Sequence, residues 1–160
     1  MDKKRLHTDL VGRLEAEWKA LLASAQEAFD TATDSEHVAR SKYETFSLES
    51  SYLARGQAER VAGIREELAS LRALSTDMDD PDSPIAVGSL VEVLREGGIA
   101  TYLYLVPAAG GETLDSEMGE VSTVNAFSEY GKRLIGKRLG DSVAVIEGGT
   151  SKKVRITEVW

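Results

Sequence analysis

The chain has 160 residues and no cysteine, which excludes disulfides, thiolate zinc sites and a cysteine nucleophile together. Its 42% hydrophobic and 29% charged residues suit a soluble folded protein, while a net charge of −8 argues against a broad electrostatic grip on nucleic acid and toward a protein partner. No apolar run reaches the roughly 18 residues of a membrane span, and the polar start MDKKRLHTDL does not suit a secretory signal, so a cytoplasmic protein without membrane contact is expected.

In the first segment Val11, Leu14, Trp18, Leu21, Ala25, Ala28 and Ala32 recur in alternating steps of three and four, the spacing of a coiled-coil seam. A second seam follows at Val61, Ile64, Leu68 and Leu71, extended backward by Ala54 and Gln57. No proline occurs before residue 81. Two such seams in one chain predict an antiparallel helical hairpin over residues 1–75, connected within residues 42–49 and projecting as a rod. A parallel dimer is the alternative left open by periodicity; a monomer is the expectation.

Residues 76–84 form an acidic Asp/Pro linker, where periodicity stops. Over residues 85–160 glycine becomes frequent, and the runs IAVGSLVEVL, ATYLYLV, GEVSTV, SVAVI and KKVRITEV have strand length. About five strands are predicted, with a short helix where Phe127, Tyr130, Leu134 and Ile135 fall at helical spacing. The fold class is therefore α+β.

These features resemble the bacterial Gre family of transcript-cleavage factors. In the second half the resembling stretches are VGSLVEV at 87–93, TYLYLV at 101–106, GEVS at 119–122, LIGKRLGDSVAV at 134–145 and the closing ITEV. In the hairpin it is ESSYLARGQAERVAGIREELASL at 49–71. The resemblance implies an FKBP-like second domain docking on bacterial RNA polymerase, and a hairpin acting through the secondary channel on elongation, pausing or initiation. It implies a protein that is not itself an enzyme and holds no cofactor of its own, the Mg²⁺ belonging to the polymerase active centre.

With Tyr52 as anchor, the family's acidic pair at the hairpin tip falls on Thr45 and Leu48, and neither side chain replaces a carboxylate on a hard cation. Glu44 and Glu49 flank the same tip and are the candidate catalytic carboxylates, against the plainer reading of solvated helix-end glutamates. Phe46 and Leu48 either pack locally on Tyr43 and Tyr52 or touch the partner. The resemblance places further polymerase contacts near Ser122, Val124 and Asn125, and near the cations Lys132, Arg133 and Lys137, which also read as a solvated helix face.

Another function class fits the same architecture: an FKBP-like peptide-binding or prolyl-isomerase domain on a coiled-coil dimerisation arm. It needs an aromatic-lined pocket, for which Tyr102, Tyr104, Phe127, Tyr130 and Trp160 are the candidates. Phosphate-loop, dinucleotide and HExxH motifs are absent, and His37 beside Glu36 and Asp34 is a poor ligand set, so no metal site is expected.

Overall fold

The computed structural model describes residues 2–36, 44–77, 80, 82–95 and 97–160, apart from the side chains of 28, 29, 31–36, 44–54 and 147. Its elements are helix α1 (Lys3–Glu36), helix α2 (Glu44–Arg72), strands β1 (Leu90–Arg95), β2 (Ala100–Val106), β3 (Thr113–Ser116) and β4 (Gly119–Asn125), helix α3 (Glu129–Leu134), and strands β5 (Ser142–Glu147) and β6 (Thr150–Val159). The α+β class is as expected. The chain divides into two compact units, Arg13–Leu68, and Met1–Gly12 together with Ala69–Trp160.

Unit Arg13–Leu68 is a pair of antiparallel helices. Ala, Leu, Glu and Arg dominate both and favour the helix without help from packing. The inward stripe is the predicted one: Leu14, Ile64 and Leu68 are buried, and Trp18, Leu21, Ala25, Gln57 and Val61 are half-buried. Arg60 pairs with Glu17 across the helices at 2.9 Å, which places the pairing within one chain. Of the connection expected over 42–49, residues 42 and 43 lie outside the described residues, and the rest is corrected. Residues 44–49 already belong to α2, because the Ser- and Thr-containing stretch there holds neither glycine nor proline to stop a helix.

In the other unit a six-stranded sheet has the order β3-β4-β2-β1-β6-β5. All neighbours are antiparallel except β2 and β4. Alternation along the strands assigns Val91, Val93, Leu103, Leu105, Val143, Val145, Val154 and Ile156 to one face, where they form the core with Ile85 and with Leu134 of α3. Tyr130 and Ile135 pack against it as anticipated, but Phe127 precedes the helix and is 63% exposed. Its place at helical spacing misled because the helix starts only after Ser128, the N-cap.

The opposite face carries Leu90, Tyr104, Leu114, Val121 and Thr123, all buried. Within this unit the first turns of α1 contribute buried Lys3, Leu6, His7 and Leu10. His7 Nδ1 lies 3.0 Å from the Tyr104 hydroxyl, and the two rings meet edge to face. Lys3 Nζ donates to the Asp77 carbonyl at 2.7 Å, so the ammonium stays satisfied while its stem is covered. Burial holds the His7 imidazole below its ordinary pKa, and the Lys3 charge adds to that.

The strand missed by the sequence is β3, four residues long with Leu114 its one buried side chain. Such a strand offers almost no alternation to read.

Candidate functional site

Two regions follow from the sequence, the hairpin tip and the end of β4 with the helix after it. Glu44, Phe46, Leu48 and Glu49 all fall on the first turns of α2, so their backbone is helical. Their side chains lie outside the described residues, as does His37.

At the second region the sequence builds a stiff corner. Ser122 and Val124 lie on β4 opposite Leu103 and Leu105 of β2, and Val124 packs against the core. Asn125 ends the strand, and its Oδ1 accepts from the Phe127 N–H at 2.8 Å, a side-chain imitation of a backbone turn. The Asn125 carbonyl accepts from Ser128 N–H at 3.0 Å and from Ser128 Oγ at 2.6 Å. Ser128 Oγ in turn accepts from Gly131 N–H at 3.0 Å and caps α3. Ala126 N–H donates to the Val106 carbonyl at 2.8 Å.

Two glycines permit this packing. A Cβ on Gly131 would stand 2.3 Å from the Asn125 carbonyl oxygen, and one on Gly110 would stand 2.6 Å from the Asn125 nitrogen. The turn is thus held from both sides, and the side chain it presents outward is Phe127. A rigid, exposed aromatic ring loses little side-chain entropy on burial and is suited to anchoring a partner. Sequence reasoning assigned Phe127 to the core; the Asn-x-x-Ser pattern ahead of the helix was the signal that could have placed it outside.

The basic residues beside this turn are exposed but partly engaged. Lys132 Nζ pairs with Glu129 at 3.7 Å, and Arg133 Nη1 donates to the Ala144 carbonyl of β5 at 3.2 Å. Lys137 carries its charge on the loop after α3, where its carbonyl accepts from Ile85 N–H at 2.7 Å. The Arg138 guanidinium reaches the Asp82 carbonyl. Phe127 thus precedes the N-terminus of α3, Lys132 and Arg133 lie in its last turn and Lys137 follows it, while Ser122 and Val124 belong to strand β4.

The five aromatics that a peptide pocket would need do not converge. Tyr102 and Trp160 are neighbours on one face of the sheet, with ring centroids 6.3 Å apart, and Tyr104 on that face is closed off by His7. Tyr130 packs on the opposite face and Phe127 stands in solvent. Desolvation first, then the charge of Glu92 and a hydrogen bond that its carboxylate accepts, raise the pKa of the Tyr102 phenol. Among the described residues no group of three or more His, Asp or Glu could hold a metal ion, and no helix is long and apolar enough to cross a membrane.

The described residues thus form a pair of antiparallel helices and a mixed sheet with an outward aromatic on a braced corner. Comparison with known proteins gives this arrangement a more particular setting. The chain is 27% identical over 172 residues to the transcription elongation factor GreA of Rhodospirillum rubrum, covering 99% of this chain and 98% of that protein. Among solved structures it is similar to GreA factor homolog 1 (Gfh1) of Thermus thermophilus, with 19% identity, 94% of each chain covered and a TM-score of 0.40. It is also similar to a GreA/GreB elongation factor from Nitrosomonas europaea, with 22% identity, 61% of this chain and 78% of that one covered, and a TM-score of 0.37. No family model matches. In sequence the chain is similar to a Gre-type factor from end to end, which supports the resemblance carried by the stretches at 49–71 and 134–145.

Proposed function

We propose that this protein is a Gre-type transcription factor that binds RNA polymerase and acts through the secondary channel, modulating elongation, pausing or initiation without itself stimulating transcript cleavage. The observation that carries the proposal is the match to a transcription elongation factor along 99% of the chain. Thr45 and Leu48 at the tip positions supply no carboxylate, and hydrolysis by two metals at a polymerase active centre gains from an added oxygen ligand of that kind. The chain acts as a monomer in the cytoplasm, with the metals supplied by the polymerase.

In this reading the sheet-bearing unit docks through Phe127 ahead of α3, and Lys132, Arg133 and Lys137 at the far end of that helix add positive charge, while Asn125 holds the turn. The hairpin tip, with Phe46 and Leu48, occupies the channel. The test is RNA cleavage in backtracked elongation complexes of the cognate polymerase, with wild type and a Glu44→Ala, Glu49→Ala variant. Unchanged transcript length with bound protein is the expected result. Shortening by wild type that is lost in the variant would instead make those glutamates metal ligands.

A further inference from the structure

β5 is the outermost strand of the sheet, and no other strand of the sheet pairs with its outer edge. The phase of the ladder is set by Ile156, whose N–H donates to Asp141 and whose carbonyl accepts from Gly140, both at 2.9 Å. Continuing that register, Val143, Val145 and Glu147 turn their backbone groups toward β6, so those of Ser142, Ala144 and Ile146 point away from the sheet. Among the described residues the Ala144 carbonyl accepts from Arg133, and no backbone hydrogen bond reaches the other outward groups.

Edges of this kind are usually blunted by charge, brevity or a bulge. The opposite edge strand, β3, has four residues and carries Asp115. β5 is longer, and from Ser142 to Ile146 it is uncharged and pairs with β6 without a register break, its charged residue Glu147 standing at the end and Arg133 reaching one carbonyl, that of Ala144. Ile146 is 57% exposed at the end of this run.

The side chains beside the edge define what would fit it. On the sheet face shared by Ser142, Ala144 and Ile146, the partners on β6 are Arg155, Lys153 and Ser151. Arg155 and Lys153 are exposed, and among the described residues neither has an ion pair. The residues between these cations and the edge are small, so long basic side chains can extend over Ser142 and Ala144 toward a newly added strand. A second copy of β5 on this edge would bring two such pairs of cations together, which disfavours self-pairing.

We infer that the outer edge of β5 is a docking site for an extended acidic segment of a partner protein, which adds a strand there and sets carboxylates opposite Ser142 and Ala144, within reach of Arg155 and Lys153. Main-chain hydrogen bonds to Ser142, Ala144 and Ile146 supply the attachment, and the two cations supply the sign of charge selected. This edge adjoins α3 through Arg133, which donates to the Ala144 carbonyl, and the inference does not depend on polymerase binding.

The test uses the full chain and a capped peptide alternating glutamate with threonine, with a lysine–threonine peptide as control. Titration is followed by backbone amide shifts and by fluorescence anisotropy. The expected result is saturable binding of the acidic peptide with shifts centred on Ser142, Ala144 and Ile146, and no such binding of the lysine peptide. Lys153→Glu with Arg155→Glu weakens binding at least tenfold. Ala144→Pro does the same while leaving the β6 pairing intact, because the N–H it removes points outward. The charge variant, on exposed side chains, keeps the test decisive if the proline variant unfolds. Equal binding of both peptides, no binding of the acidic one, unchanged affinity in the charge variant, or dimerisation through β5 in its place overturns the inference.

Discussion

Gly131→Ala tests the braced corner directly. In a helix this exchange ordinarily stabilises by about 1 kcal/mol, since alanine has less backbone freedom to lose. At Gly131 the added Cβ would stand 2.3 Å from the Asn125 carbonyl oxygen, 2.7 Å from Ala126 Cα and 2.8 Å from the Ala126 carbonyl carbon. All three are backbone atoms, so no side-chain rotation relieves the contact, and α3 must move off the turn or the turn must open. Overpacking of this kind costs about 1–3 kcal/mol, so the clash outweighs the propensity gain. Gly56→Ala is the control: its Cβ meets nothing within 4 Å on α2, leaving the propensity term alone. Urea unfolding monitored by far- and near-UV circular dichroism should therefore move the midpoint down for Gly131→Ala and up for Gly56→Ala. Equal or raised stability in Gly131→Ala would refute the close packing of α3 on Asn125 and Ala126, and with it the rigidity claimed for Phe127.

Other consequences can be checked in the same way. Leu68→Ala, at a buried position of the helical pair, should cost about 2–5 kcal/mol in urea unfolding, and a cost below 1 kcal/mol would contradict its burial. Because the folded state holds the His7 pKa below 6.5, the unfolded chain takes up that proton first as pH falls. The contribution of His7 is thus fully present above pH 6.5 and is lost on acidification toward its folded pKa; His7→Gln should flatten the stability profile in that window, and an unchanged slope would exclude the effect. Phe127→Ala should weaken polymerase binding at least tenfold while shifting the unfolding midpoint little, since the ring is 63% exposed; intact binding would remove it from the docking surface.

Much of the fold was legible because the signals were periodic. Leu14, Ile64 and Leu68 repeat at helical spacing and are buried, and the β-branched runs around Val93, Leu105, Val145 and Ile156 became strands. What escaped depended on tertiary context. The start of α1 reads as polar, yet Lys3 and His7 are buried there because the Asp77 carbonyl and the Tyr104 hydroxyl satisfy them, partners more than 70 residues away in sequence. Phe127 looked like a core residue until the Asn125 and Ser128 hydrogen bonds fixed where the helix begins. Lys153 and Arg155 carried no motif at all; only the pairing of β5 with β6 sets them behind an uncharged edge.

Polymerase binding is tested most directly by the affinity of the full chain for purified cognate RNA polymerase, measured with and without a competing GreA. Saturable binding that GreA displaces is the predicted outcome. Absence of binding, or binding that GreA leaves untouched, would contradict it.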